Sequence, residues 1–462
     1  MSQPPRFGPA TATFLVVSSM IGTGVLTTSG FTVTLVGSNQ LMLILWVVGG
    51  ILAVCGALSL AELAAMLPES GGDYVFLREA YGPLAGFLSG WVSFLIGFGG
   101  PIAASAAAAG KYLLAPAGFE ATAGRQAELA VATTVILGLS LVHCLGRRAT
   151  IRTQVGMTLV KLATLTGLAV AGLAAGAGRW GNLVDRPPLS PDLAVAMASS
   201  LVYVSYAYTG WNAAGYVAGE VAEPQRWLPR AILLGTGIVT ALYLMLNVTY
   251  ALALTAAEIR GIVAERGLDA VAPIAQLAAE RLFGPWIAAP LSVAVGLTLL
   301  ASVSAYVLTG PRVAAAMAVA GHFPAAAGRV SSEGAPVVAT ALQAGWALVL
   351  LWTASFEAIL LYAGVGLAIF SMLTVAAVFV LRVRRPDLPR PFRVPGYPVV
   401  PAVYLLGTGI LTAAVAWERP VVAALSLATI IVGLPAAWLW GRFASPLKNG
   451  STPGPMGRRP AP

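Results

Sequence analysis

The chain has 462 residues, of which 58% are hydrophobic and only 10% are charged. Because a soluble domain has about a quarter charged residues, this composition excludes a water-soluble globular fold. The net charge of +9 does not indicate nucleic-acid binding, because the basic residues fall in short gaps between apolar runs and form no basic helix or basic aromatic surface.

The apolar runs predict an all-α membrane protein with twelve transmembrane helices. Each run is near the roughly 20 residues that cross a bilayer as a helix, and is too long and too apolar for a barrel strand. The predicted spans lie near residues 9–36, 41–67, 84–114, 127–146, 153–176, 192–222, 230–255, 285–319, 336–354, 357–381, 400–417 and 421–441.

The gaps between the runs divide the chain into regions. The predicted regions are a cytoplasmic segment (1–8), a ten-helix transport core (9–382), a cytoplasmic loop (383–399), helices 11 and 12 (400–441) and a disordered cytoplasmic tail (442–462). Lys and Arg are concentrated in the gaps on the side of the amino terminus. By the positive-inside rule, both termini of this multi-pass protein are expected in the cytoplasm, with the cell membrane as its location.

Two spans contain a motif that predicts a broken helix. Span 1 has Met20-Ile21-Gly22-Thr23-Gly24-Val25, and span 6 has the stretch from Ser205 to Asn212. The Gly-Thr-Gly tripeptide alone also suits helix packing, since it recurs at Gly235 and Gly407. Two interruptions at matching places in two halves of a chain, however, are typical of a transport site at the bilayer midplane. Free N–H groups after one break would bind a carboxylate and free carbonyls at the other an ammonium, which together fit an α-amino acid.

Lys161 lies in the predicted fifth span, nine residues after Arg152. This is roughly 13 Å along a helix, near mid-membrane and too deep for the side chain to reach the interface. A lysine there must face a polar interior or give up its proton. The sequence therefore predicts a functional cation beside the break in span 1.

Other candidate residues have simpler interpretations. A solvated, ion-paired loop is favoured for Glu62, Glu69, Asp73, Arg78 and Glu79, and an interfacial position for His143 and Cys144. Whether the cluster of Glu220, Glu223, Arg226 and Arg230 is structural or forms an inner gate stays open. With two histidines and no ligand-spaced cysteines or nucleophile motif, neither a metal, a cofactor nor an enzymatic activity is expected.

Several longer motifs resemble one family of transporters. They include Ile21-Gly22-Thr23-Gly24-Val25, Pro68-Glu69-Ser70-Gly71-Gly72-Asp73-Tyr74, Gly210-Trp211-Asn212, Glu220-Val221-Ala222-Glu223-Pro224 and Arg390-Pro391-Phe392-Arg393-Val394-Pro395-Gly396. On these motifs the chain resembles the amino acid–polyamine–organocation superfamily over about residues 10–440, and within it the permeases related to L-type transporters.

The resemblance implies the leucine-transporter fold, with a five-plus-five inverted repeat and two further helices. It also implies that the substrate carboxylate binds at Thr23 and Gly24, and the amino group at carbonyls of Met20, Tyr206 and Thr209. Tyr206 matches the family's aromatic lid, and Lys161 matches a lysine that replaces a sodium ion in sodium-independent members. The other substrate-binding residues expected are Gly22, Ala207, Gly210, Tyr243 and Asn247, and Ser302, with Ser304 as second choice, is expected beside Lys161.

The expected function is sodium-independent secondary transport of small neutral L-amino acids by alternating access, coupled to protons or to exchange. Two observations favour such substrates. Thr209, where many relatives have glycine, narrows the pocket, and no acid is expected at mid-depth near spans 1, 3, 6, 8 or 10. A cationic amino-acid or polyamine permease is the alternative within the class, and a non-transporting membrane sensor is the alternative outside it. The expected partners are the amino acid, the lipid bilayer and, for the proton-coupled form, protons; the oligomeric state is left open.

Overall fold

The computed structural model describes residues 6–117, 124–175, 178–185, 192–353 and 356–443. Within these ranges the regular structure is helical, apart from one isolated bridge between Phe7 and Val221. The helices are α1 (Pro9–Met20), α2 (Gly24–Val36), α3 (Asn39–Met66), α4 (Asp73–Tyr81), α5 (Pro83–Val92), α6 (Gly99–Leu114), α7 (Gly124–Cys144), α8 (Arg147–Ala174), α9 (Leu193–Ala207), α10 (Ala213–Tyr216), α11 (Pro224–Ala253), α12 (Ala256–Arg266), α13 (Ile274–Phe283), α14 (Ala288–Val319), α15 (Val337–Thr353), α16 (Phe356–Arg384), α17 (Val399–Glu418) and α18 (Pro420–Phe443).

The helices reproduce the predicted spans. In the described part of the chain, nine apolar segments are long enough to cross a membrane, and three shorter apolar helices occupy the places of predicted spans 6, 9 and 12. Most ends agree within a few residues. The starts of the fifth and seventh spans differ more, because α8 begins at Arg147 and not near residue 153, and α11 begins at Pro224 and not near residue 230.

Spans 1 and 6 are both interrupted, as the sequence predicts. The first stops at Met20 and resumes at Gly24, and the second stops at Ala207 and resumes at Ala213. The interruptions pack directly on each other, because a Cβ atom on Gly24 would lie 2.6 Å from the Cα atom of Ala207. Spans 1 and 6 are the first helices of the two five-helix repeats, and their paired interruptions belong to the leucine-transporter fold. In this fold α17 and α18 lie outside the repeat.

Two predicted gaps contain helices. The gap after span 2 holds α4, and the gap after span 7 holds α12 and α13. Helix α12 begins with a capping box in which Thr255 and Glu258 exchange side-chain and backbone hydrogen bonds. The connection from α12 to α13 covers the second half of span 1, since the carbonyl of Val271 packs against Gly30.

A π-helical turn, Ser93–Phe98, joins α5 to α6 inside the third span. Such a turn leaves carbonyls without their usual helical partners. Here Gln343 and Trp346 of α15 donate to the carbonyls of Phe94 and Leu95 at 3.1 and 2.7 Å. The α15 side chains thereby hold the turn in place beside the broken helices.

Candidate functional site

A cavity of about 460 Å³ lies against the break in span 6. This volume is within the range of about 300–1,000 Å³ usual for small-molecule sites. Its wall includes three of the predicted substrate residues, Tyr206, Thr209 and Gly210, together with Ser19 of α1 and Tyr306 of α14. The π-helical turn contributes Ser93, Gly97 and Phe98, and α3, α4, α9, α16 and α17 also contribute to the wall. The predicted residues Gly22, Thr23 and Gly24 are not among the residues that line it.

The break in span 1 presents a helix start. Gly22 and Thr23 are partly exposed, whereas Gly24 is buried. The first amides of α2 have no carbonyl one turn earlier to bond, as at any helix start. The Thr23 side chain makes no capping hydrogen bond to α2. These groups can receive an anion such as a carboxylate, aided by the helix dipole.

Two of the three carbonyls expected to bind an ammonium, those of Met20 and Tyr206, already have partners in this conformation. The Tyr206 carbonyl accepts the N–H and the hydroxyl of Thr209, at 3.0 and 2.8 Å. The hydroxyl of Tyr243 lies 2.8 Å from the Met20 carbonyl and 3.0 Å from that of Ala207. A substrate amine would therefore share or displace these hydroxyl donors.

Tyr243 and Asn247 lie behind the breaks and do not line the cavity. Both side chains are completely buried. Asn247 accepts from the Ser29 hydroxyl at 2.6 Å and donates to the Tyr243 carbonyl at 2.8 Å. Met20 and Ala207 are also buried, and neither contributes to the cavity wall. Tyr243 and Asn247 therefore connect α11 to both breaks from behind. The resemblance implied instead that they contact the substrate.

Lys161 lies where α8 and α14 meet the break in span 1, and its side chain is fully buried. Its ammonium donates to the carbonyls of Ser18 and Ile21 and, at 2.8 Å, to the hydroxyl of Ser302. The Ser302 hydroxyl in turn donates to the Ile21 carbonyl at 2.8 Å. The position beside the break in span 1 agrees with the sequence prediction and the contact with Ser302 with what the resemblance implies, whereas the bond to Ser18 was not expected. Together these contacts connect three helices through one cation.

Ser304, the second choice beside Lys161, belongs to a different network. It donates to Gln154 at 2.8 Å and lies 3.0 Å from the ring of His143. His143 also contacts Thr150 and is buried, so the interfacial position predicted for it is wrong. The place of His143 at the end of an apolar run did not reveal that Thr150 of α8 and Ser304 of α14 cover its ring.

The end of the bundle that holds the amino terminus is closed. Phe7 bridges to Val221, and Glu220 pairs with Arg147 and Arg312, each at 3.0 Å. These pairs join the starts of span 1 and α8 to the end of span 6 and to α14. The neighbouring Glu223 and Arg226 form only an exposed pair at 3.5 Å. Within the predicted cluster, Glu220 therefore has the position of a gate residue.

The interpretation of the first connection as solvated is wrong for two acids. Glu62 is 1% exposed, pairs with Arg382 at 2.6 Å and accepts from the backbone N–H of Val394 at 2.7 Å. Asp73 is 6% exposed and lines the cavity. The argument that no acid lies near the site consequently fails, because α4 brings Asp73 there from outside the spans.

Two interrupted helices packed on each other beside a cavity, with one end of the bundle closed, are typical of a membrane transporter that works by alternating access. The family model described as amino acid permease matches residues 7–440, so the chain belongs to that family and is a transporter, not an enzyme.

Several characterised transporters are similar over most of the chain. It is 30% identical to the large neutral amino acids transporter small subunit 2 of Homo sapiens, over 94% of this chain and 80% of that one. It is 28% identical to the serine/threonine exchanger SteT of Bacillus subtilis, over 91% and 93%. It is also 28% identical to the Asc-type amino acid transporter 1 of Mus musculus, over 94% and 81%.

Proposed function

We propose that the protein exchanges or co-transports small neutral L-amino acids across the cell membrane without sodium. The observation that carries this proposal is the facing pair of breaks, with a helix start at Gly22–Gly24 and carbonyls at Met20 and Tyr206. Such a pair binds both charges of an α-amino acid and leaves its side chain to contact the cavity wall.

The lack of sodium dependence is proposed on the position of Lys161. A sodium site between α1, α8 and α14 needs an empty volume and free oxygen ligands. The ammonium fills that volume and bonds the carbonyls of Ser18 and Ile21 and the hydroxyl of Ser302. A second cation within a few ångströms in a low-dielectric site would be strongly repelled.

A small neutral substrate is supported by three further points. The relatives named above are described as transporters of large neutral amino acids, a serine/threonine exchanger and an Asc-type transporter. The carboxylate of Asp73 lies in the cavity wall, but three donors from the protein already bond it. The side chain of Thr209 lies in the wall beside Tyr206, where it takes up space in the cavity and so favours a small substrate.

A cationic amino acid or a polyamine is the second candidate, and Asp73 is the observation that favours it. A buried carboxylate in a cavity wall is a suitable counter-ion for a second ammonium group.

The orientation in the membrane is proposed from the positive-inside rule. The excess of Lys and Arg in the gaps on the amino-terminal side supports cytoplasmic termini, and hence a cavity reached from outside the cell in this conformation.

The experiment is a competition assay on purified protein in liposomes that contain unlabelled alanine. External radiolabelled alanine is offered together with excess serine, leucine, arginine or putrescine. Serine and unlabelled alanine should compete best and putrescine least. Arginine as the strongest competitor would instead support the cationic candidate.

A further inference from the structure

Asp73 is a buried acid whose carboxylate has hydrogen-bond donors but no ion-pair partner. Its Oδ2 atom accepts from the amide of Asn212 at 3.0 Å and from the hydroxyl of Tyr216 at 2.8 Å, and its Oδ1 atom accepts from Thr374 at 3.1 Å. None of the ion pairs among the described residues includes it. We call Asp73, Asn212, Tyr216 and Thr374 the Asp73 junction.

The charged groups of the neighbouring elements are engaged elsewhere. The titratable groups that face Asp73 are the phenols of Tyr216 and Tyr404. Tyr74 follows Asp73 in α4, and its hydroxyl is hydrogen-bonded to the ring of His322. The arginines of α4, of α14 and of the end of α16 also have their own partners. Arg78 pairs with Glu69, Arg312 with Glu220 and Arg382 with Glu62, while Arg384 bonds the Ala80 carbonyl and Arg385, just after α16, pairs with Glu79.

The cavity contains no other acid near this one. Glu418, which also lines the wall, ends α17, whereas Tyr404 beside Asp73 is near its start. Fourteen residues of helix separate them by about 21 Å. Arg419, next to Glu418, is therefore too distant to neutralise Asp73. A solitary carboxylate in contact with a water-accessible cavity can take up a proton without disturbing any ion pair.

Protonation would change the hydrogen bonds of the Asp73 junction. The carboxylate accepts three bonds, but protonation turns one of its oxygens into a hydroxyl, which is a donor and a poorer acceptor, so the bonds made to that oxygen weaken. Two of the three donors, Asn212 and Tyr216, belong to the segment between the break in span 6 and the closed end at Glu220. The charge state of Asp73 therefore determines how firmly that segment is held to α4.

We infer that Asp73 is a proton-binding site of this transporter and that its proton arrives from the cavity. Protonation loosens the segment from Asn212 to Glu220, which we call the inner half of span 6. The inference deepens the proposed function, because it assigns to the same cavity a group that makes transport depend on pH. Burial raises the pKa of the Asp73 carboxyl, while the hydrogen bonds from Tyr216, Thr374 and Asn212 lower it less than burial raises it. The site lies in α4, outside the membrane-spanning helices.

The first test needs no substrate and so does not depend on the proposed function. Backbone hydrogen exchange of the peptide covering residues 208–221 is measured between pH 5 and pH 8 in lipid nanodiscs and corrected for intrinsic rates, with a peptide of α14 as internal reference. Protection should fall as the pH falls. Asp73→Asn, which is neutral and nearly equal in size, should show the low-pH exchange at every pH.

The control and the second variant separate titration from misfolding. Asp387→Asn makes the same chemical change at an acid whose side chain is 69% exposed, and should keep the wild-type profile, as should His322→Gln. Thr374→Val removes one donor from the carboxylate and should move the midpoint of the profile to higher pH. A flat wild-type profile, a wild-type profile in folded Asp73→Asn, or an unmoved midpoint in Thr374→Val would each overturn the inference.

The second test is exchange of labelled alanine in liposomes at equal internal and external pH. The wild-type rate should rise as pH falls, by up to about tenfold per unit on the steep part of the profile, and Asp73→Asn should remove this dependence. Exchange that is active but identical in wild type and Asp73→Asn at all pH values would overturn the inference and leave the proposed function standing.

Discussion

At the scale of single residues, Gly22 and Gly24, the glycines on either side of Thr23, have different roles. A Cβ atom on Gly24 would lie 2.6 Å from both the Cα and the Cβ atoms of Ala207, so this glycine allows the two breaks to touch. A Cβ atom on Gly22 would have only the Tyr306 hydroxyl near it, at 4.0 Å. Gly22 is therefore the position at which the proposed carboxylate site can be tested without disturbing the packing.

We predict that Gly22→Ala lowers the affinity for alanine about fivefold, which corresponds to about 1 kcal/mol, because the methyl group crowds the amides that bind the carboxylate. Its melting temperature should stay within a few degrees of wild type. Binding is measured by titration calorimetry on detergent-solubilised protein. The control is Gly237→Ala, in a second Gly-Thr-Gly, where nothing lies within 4 Å. Equal binding by the two variants would contradict the carboxylate site.

Lys161 provides the second prediction at this scale. Lys161→Met keeps most of the volume but removes the ammonium from the carbonyls of Ser18 and Ile21. The Ile21 carbonyl keeps its hydrogen bond from Ser302, but the buried Ser18 carbonyl loses the ammonium, which costs about 1–3 kcal/mol, and the break in span 1 loses the Lys161 bonds that connect it to α8. Exchange of alanine in liposomes should fall at least about tenfold. Lys111→Met, at an exposed lysine, is the control, and wild-type exchange by Lys161→Met would show that the cation is dispensable.

At the scale of elements, the closed end depends on one acid that two helices share. Glu220, whose side chain is 13% exposed, pairs with Arg147 at the start of α8 and with Arg312 of α14. The ring of Phe7 lies 5.7 Å from the Arg312 guanidinium and adds the start of span 1 to the same contact. Removing a partner from a largely buried ion pair is strongly destabilising, by about 3–5 kcal/mol.

Glu220→Gln should therefore shift the protein toward states in which this end is open. The measurement is the alkylation rate of a cysteine placed at the buried Ala214, in a background where Cys55 and Cys144 are replaced by serine. The rate should rise at least about tenfold. Glu223→Gln removes the same charge from an exposed pair and should leave the rate unchanged. A rise of equal size in both variants would argue against a gate at Glu220.

The elements that the sequence predicts well are those whose signal is local. Both breaks were predictable, because glycines interrupt two apolar runs at matching places, and the spans followed from hydropathy. Helix α4 was not predicted because its nine residues are too few to cross a membrane, and the π-helical turn Ser93–Phe98 because it lies inside one continuous apolar run. The burial of Asp73 was missed for another reason, since it depends on donors that lie 139 or more residues away in sequence.

The site was predictable only in part. The resemblance implied that Ser302 lies beside Lys161, and the two side chains are hydrogen-bonded at 2.8 Å. It did not separate the residues that line the cavity from those that support it. Tyr243 and Asn247 are polar and close to the breaks, but only their hydrogen bonds to the Met20 carbonyl and to Ser29 show that they face away from the cavity.

At the scale of the whole molecule, the closed end and the cavity describe one state of an alternating-access cycle. Glu220 and Phe7 close the end near the amino terminus, and the cavity extends from Asp73 along α17 toward Glu418 at the opposite end. Opening the closed end requires α1 and the inner half of span 6 to leave α14. Lys161 connects α1 to both α8 and α14, so this movement has to preserve or break its hydrogen bonds.

The most direct test of the proposed sodium-independent transport is uptake of labelled alanine into liposomes, with external sodium replaced by potassium or choline at constant ionic strength. Because the ammonium of Lys161 fills the place between α1, α8 and α14 where a sodium ion would bind, the initial rate should be the same in all three salts. A rate that rises in a saturable way with sodium concentration would contradict the role assigned to Lys161.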